Sequence, residues 1–125
     1  MILDTNALSA LADGEATLAT ALLGYRRVTI PVVALGEFRF DIAQSRRRAD
    51  YEAWLAQYLP LFGVLPLTAE TTHYYGRVRL DLKVKRRPIP ANDTWIAALA
   101  LQYGLPVLSR DGHFDWVTGV ERRTW

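Results

Sequence analysis

A chain of 125 residues, half of them hydrophobic and 22% charged, is long enough to bury one core and too apolar to stay disordered. It contains no cysteine, which excludes disulfides, zinc–thiolate sites and thiol nucleophiles. Net charge is only +2, yet the isoelectric point is near 9.2 and the arginines cluster in SRRR (45–48), KVKRRP (83–88) and ERR (121–123), either a footprint for polyanions or simply solvated faces.

MILD opens the chain as a short apolar strand that runs straight into Asp4. Residues 6–25 read as one or two helices, broken by a turn at Asp13 and Gly14 with Glu15 starting the second. RRVTIPV (26–32) carries β-branched residues and ends at Pro31, a second strand. From Val32 the spacing of Ala34, Phe38 and Ile42 is helical, and the helix is expected to continue through ADYEAWLAQY until Pro60 and Gly63 end it. Within it Tyr51, Trp54, Leu55 and Tyr58 recur at helical spacing, which suits either core packing or the docking of a partner helix. GVLPL (63–67) is a third strand. The next helix starts at Thr68, with Thr71 where a capping box calls for Glu, so that cap is imperfect; His73 reads as a half-buried residue on it. RRPIPAND is a clear stop and start, and the apolar helix that follows closes at Gly104. LPVLSRDG is a fourth strand running into a turn, and GVERRTW adds a fifth.

Short apolar strands alternating with helices indicate a single α/β domain over residues 1–125, a parallel sheet covered by helices on both faces. No basic leader precedes the first apolar residues, and no apolar run approaches the ~20 residues of a membrane span. The expectation is a soluble, unexported, cytoplasmic protein with no membrane partner.

In such sheets sites form beyond the carboxyl ends of the strands. Asp4 and Asp111 fall just past two such ends, Asp93 in the first turn of the helix after PIPAN, and Glu37 on the helix after the second strand. Each has an ordinary explanation: Asp93 as a helix cap, Asp111 before Gly112 as a turn, Glu37 as a half-exposed helix residue. Asp4 has no comparable role except capping the helix that follows. Placed in one crevice, two carboxylates about 5 Å apart repel by roughly 3 kcal/mol at an effective dielectric near 20, so a cluster of four requires protons or cations. Oxygen ligands with no Cys and no nearby His favour a hard cation, Mg²⁺ or Mn²⁺, over zinc. An acidic cation pocket in an arginine-rich chain suits phosphodiester hydrolysis, the cation offsetting charge and the arginines holding flanking phosphates.

The combination LDTNALSAL, a lone helix acid in GEF, and ANDTWIAALALQYGLPVLSRDGHF resembles the PIN-domain ribonucleases, in particular the VapC-type toxins of bacterial toxin–antitoxin pairs, over essentially the whole chain. The resemblance implies a three-layer α/β/α sandwich with a short parallel sheet. It also implies a divalent-metal-dependent endoribonuclease with RNA as substrate, a cognate antitoxin as partner, and a homodimer. By position, Asp4 and Asp93 match the residues treated as Mg²⁺ ligands, and Glu37 and Asp111 complete the acidic quartet. Asn6 and Ser109 match polar residues that support it by hydrogen bonds. Lys83, Lys85, Arg86 and Arg87 are candidate RNA contacts.

One departure stands out. Where relatives carry a further Asp two positions after the last of the quartet, this chain has His113, and Asp115 is out of register. His113 reads most simply as a turn residue, with a weak ligand, a proton donor or a phosphate contact as alternatives. Phosphatases of the haloacid-dehalogenase type need a second Asp where Asn6 stands. Receiver domains need a strand-end lysine, and a serine hydrolase needs a Gly-x-Ser-x-Gly elbow; the chain has neither. A catalytically silent RNA- or protein-binding module of the same fold is the remaining alternative.

Overall fold

The computed structural model describes all 125 residues. Five strands, β1 (Ile2–Leu3), β2 (Thr29–Pro31), β3 (Gly63–Leu65), β4 (Val107–Leu108) and β5 (Arg122–Arg123), form one sheet in the order β3-β2-β1-β4-β5. Every pairing is parallel, with Ile2 opposite Thr29 on one side and Val107 on the other. β1 is thus the middle strand, and the chain order reverses beside it. Such a reversal opens a crevice above the carboxyl ends of β1 and β4.

The helices are α1 (Thr5–Ala12), α2 (Ala16–Leu22), α3 (Val32–Ala43), α4 (Arg48–Tyr58), α5 (Ala69–Val84) and α6 (Ala91–Tyr103). They cover the sheet as an α/β/α sandwich, the fold class expected. β1 and β4 are buried on both faces, which is why they read as unbroken apolar runs rather than as alternating ones. Their Ile2, Leu3, Val107 and Leu108 join Leu8, Phe38, Ile96, Leu99 and Phe114 in one continuous core.

Two local features differ from expectation. The long helix expected from Val32 to Pro60 is two, α3 and α4, separated by residues 44–47. Apolar side chains that could hold this stretch to the core are missing from Gln44 to Arg48, and three successive arginines repel one another. The Ser45 hydroxyl then takes the Arg47 N–H at 3.0 Å, a local bond that competes with the helix. At the start of α5, Thr71 does the work of the missing Glu: its Oγ1 accepts the Thr68 N–H at 3.0 Å. The same Thr71 hydroxyl donates to Gln102 at 2.7 Å, tying the start of α5 to the end of α6. His73 is exposed rather than half-buried.

The aromatic stripe on α4 is largely core. Leu55 is buried, and the rings of Tyr51 and Trp54 meet Phe38 of α3 edge-on at 6.2 and 6.1 Å. Tyr58 lies beyond them, its ring 5.5 Å from that of Trp54 and partly open to solvent.

Candidate active site at the carboxyl ends of the central strands

β1 ends in Asp4, which is 3% exposed. One carboxylate oxygen accepts the Ala7 N–H at 2.8 Å and caps α1; the other accepts the hydroxyl of Ser109, which follows β4. Ser109 is fully buried, and its Oγ also accepts the Asp111 N–H at 2.9 Å. A single hydroxyl therefore joins the ends of two adjacent strands. Asp4 does serve as a helix cap, but it faces its own kind as well. Burial, above all, raises its pKa from the usual carboxylate range; the Ser109 and Ala7 bonds oppose that rise, and the charges of Asp111 and Glu37 add to it.

Asp111 caps a short 3₁₀ helix, Gly112–Trp116, by accepting the His113 N–H at 2.9 Å. The His113 ring turns back over the same carboxylate, with Nδ1 3.1 Å from Asp111 Oδ1 and 3.6 Å from Asp93 Oδ2. Ligating atoms of Asp93, Asp111 and His113 all lie within 4.8 Å of one another. Asp93 sits in the first turn of α6, and its pKa is pushed up to about 6, by burial first and then by the charges of Asp111 and Asp4, with His113 opposing. The expectation of an oxygen-only cluster with no nearby His is thus corrected. The turn that carries His113 is short, so its ring folds back onto the acids.

Glu37, on α3, is held from the opposite side: Thr5 Oγ1 donates to its Oε2 at 2.9 Å. Asn6, the residue expected to support the quartet, is exposed and its side chain makes no hydrogen bond; of the two polar residues after Asp4 it is Thr5 that reaches Glu37. The signal was present in the sequence, because Thr5 and Asn6 both follow the strand-end acid, but helix phase decides which of the two faces Glu37. Asp115 is elsewhere, in a two-pronged pair with Arg122 at 2.8 and 2.7 Å. Arg122 also donates to the Ser109 carbonyl at 3.1 Å, bracing the strand end from behind.

The basic clusters separate by pairing. Arg47, Arg48, Arg122 and Arg123 each have a carboxylate within 4.0 Å. Lys85 is also committed: its ammonium meets Asp81 at 2.8 Å, Thr118 at 2.6 Å and the Trp116 carbonyl at 3.1 Å. Lys83, Arg86 and Arg87 have no carboxylate partner. Lys83 and Arg86 line a groove of about 630 Å³ with Tyr75, Arg79, Ile89 and Thr94, and Thr94 is the neighbour of Asp93. Arg87 lies over the Trp116 ring at 4.9 Å, and Trp116 in turn flanks His113 at 5.1 Å.

The donor set fits a divalent cation. Asp4, Glu37, Asp93 and Asp111 have no lysine or arginine within 4.0 Å, and burial first, then mutual repulsion, raises Asp4 and Asp93. Asp93, Asp111 and His113 are near enough to share one ion, with Asp4 and Glu37 adding charge around it.

A model of the PIN domain matches residues 1–119 of the chain. A ribonuclease from Mycobacterium tuberculosis, VapC5, is 32% identical over 122 residues, covering 95% of this chain and 88% of its own. Among solved structures, the VapBC-5 toxin–antitoxin system of the same organism superposes with a TM-score of 0.76 at 29% identity, covering 98% of this chain and 94% of that one. VapBC2 from Rickettsia felis, bound to a promoter DNA fragment, gives 0.89 at 20% identity over 99% of this chain and 97% of that one, a likeness of fold. No helix is long and apolar enough to cross a membrane.

Proposed function

Because the chain belongs to the PIN-domain family, we propose that it is a divalent-metal-dependent endoribonuclease and the toxin of a toxin–antitoxin pair, working at Asp4, Glu37, Asp93 and Asp111. The observation that carries the reading is the convergence of these acids, with no lysine or arginine paired to them, in a chain whose Lys83, Arg86 and Arg87 at and just after the end of α5 lack acidic partners. The relatives' names support it: ribonucleases, and complexes of toxin with antitoxin.

Asp93 and Asp111 would hold Mg²⁺ or Mn²⁺, with Asp4 and Glu37 completing the negative field. A cation bound there supplies Lewis acidity, offsetting phosphate charge and making water a better nucleophile. The chain's own groups do the rest. Ser109 fixes Asp4 relative to Asp111, so the two strand ends cannot drift apart. Thr5 holds one Glu37 oxygen and leaves the other free to take a proton or orient a water. Lys83 and Arg86 hold phosphates on either side of the scissile bond, and the groove they line receives the neighbouring nucleotide. Direct hydrolysis leaves 3′-hydroxyl and 5′-phosphate ends.

The test is incubation of single-stranded RNA with the purified chain and with Asp4→Asn, in Mg²⁺, Mn²⁺ or EDTA. Cleavage confined to the unsubstituted chain with metal supports the proposal. Binding without cleavage in every lane would leave only a silent RNA-binding module, and 2′,3′-cyclic phosphate ends would exclude water as the nucleophile. Expression in cells should arrest growth, with rescue by the product of a neighbouring antitoxin gene.

A further inference from the structure

The placement of His113 reaches beyond the acidic quartet. The ring, 37% exposed, turns its Nδ1 between two carboxylates, 3.1 Å from Asp111 and 3.6 Å from Asp93. Its aim is enforced twice. The His113 backbone N–H is bonded to the same Asp111 side chain at 2.9 Å, which fixes the start of the 3₁₀ turn. The other side of the ring meets Trp116 at 5.1 Å, and Trp116 is itself covered by Arg87 at 4.9 Å.

We propose that His113 is a donor to the cation, so that the site is a mixed carboxylate–imidazole set selecting a first-row transition cation, Mn²⁺ in the simplest case, over Mg²⁺. The inference rests on the metal-dependent reading above and refines it. Ligating atoms of the two acids and the imidazole lie within 4.8 Å of one another, a spread that the ligand shell of one ion can take up by small side-chain rotations. The chemistry of the set then decides the ion. Mg²⁺ is a hard cation that seeks oxygen and keeps its waters, and it gains little from an imidazole nitrogen. Transition cations accept nitrogen readily, in the order Mn²⁺ below Fe²⁺ below Co²⁺. With a carboxylate in place of His113 the set would be all oxygen and lose that bias. Trp116 and Arg87 act as positioning residues that hold the imidazole plane.

The competing role for His113 is a counter-ion that neutralises the acids and leaves when a cation arrives. The two differ in sign. Mn²⁺ titration of the full chain, followed by the electron paramagnetic resonance of free Mn²⁺, gives affinity without reference to activity; pulsed measurements detect nitrogen bound to the ion. Expected for the unsubstituted chain is an imidazole ¹⁴N coupling that is absent from His113→Ala and His113→Asn. Mn²⁺ affinity should fall by about tenfold or more in both variants, while Mg²⁺ affinity, read by competition, changes by less than about threefold. His113→Asp should recover tight binding but narrow the preference for Mn²⁺. Bound Mn²⁺ without nitrogen coupling, or tighter binding in His113→Ala, overturns the proposal and leaves the metal-dependent reading intact. A chain that binds no Mn²⁺ overturns both. Two substitutions of different size keep the result readable if one of them disturbs the turn.

Discussion

The hydroxyl of Ser109 donates to Asp4 from 105 positions away in the chain, and accepts the Asp111 N–H at 2.9 Å. That one oxygen is the physical link between the end of β1 and the end of β4. Buried hydrogen bonds to charged groups are worth roughly 1.5–3 kcal/mol. Ser109→Ala is therefore expected to lose about 2 kcal/mol, read as a lower urea midpoint with an unchanged slope. An unaltered midpoint would mean that the strand ends hold their spacing without it.

Asp93 gives a pH signature. Its folded pKa is about 6, above its ordinary value of 3.8, so ionisation is harder in the native state. The stabilising contribution is full below 3.8 and is lost as pH rises through 6. Asp4 is shifted in the same direction. In EDTA, the unsubstituted chain should lose stability relative to Asp93→Asn between about pH 4 and 6, by on the order of 2 kcal/mol. Thermal melts of both at about pH 4 and 7.5 check this, and the difference cancels groups such as Asp115 and Asp81 that shift the other way. Millimolar Mn²⁺ at the higher pH should recover the loss in the unsubstituted chain alone.

Thr5→Val removes the donor that orients Glu37 but keeps side-chain volume. RNA cleavage should slow by about tenfold, with a melting temperature within a few degrees of the original. Loss of fold instead would make Thr5 structural.

Replacing Lys83 and Arg86 together by Ala should weaken RNA binding and flatten its salt dependence, by about 0.7 in slope for each phosphate no longer neutralised. Arg48→Ala is the comparison, since Arg48 is spent on Glu52 at 2.9 Å. Fluorescence anisotropy of labelled RNA in the Asp4→Asn background separates binding from cutting. Equal slopes in both variants would remove the basic loop from the interface.

Trp54→Glu tests whether the α4 stripe is core. Trp54 packs on Phe38, so the substitution should lower stability by about 3 kcal/mol, measured by chemical denaturation. Tyr58→Glu, at the exposed end of the stripe, should cost much less. A tolerated Trp54→Glu that abolished antitoxin capture would reassign the surface to the partner.

The parts of this molecule that could be read in advance are those governed by short-range rules. Asp4 and Asp111 stood out because an apolar strand cannot end on a charge without a reason, and Gly104 because the left-handed turn at φ 63 suits it. What escaped were contacts set by phase and by long-range packing. The choice of Thr5 over Asn6 depends on which way the first turn of α1 points. The break between α3 and α4 has neither Gly nor Pro, only a lack of apolar anchors. The pairing of Arg48 with Glu52 follows helix spacing, but that of Arg122 with Asp115 became visible only once the 3₁₀ turn and β5 were in place. His113 lies two residues from a quartet acid, yet its ring direction follows from the short 3₁₀ turn and the wall of Trp116.

The position of β1 between β2 and β4 also sets when the molecule can first act. During synthesis the middle strand is made before either neighbour, and its second neighbour and the hydroxyl that latches it arrive only with residues 107–109. Until then the four acids have no shared crevice. A nascent chain that carried the proposed activity could not use it before Asp111 had been made and β4 had joined the sheet.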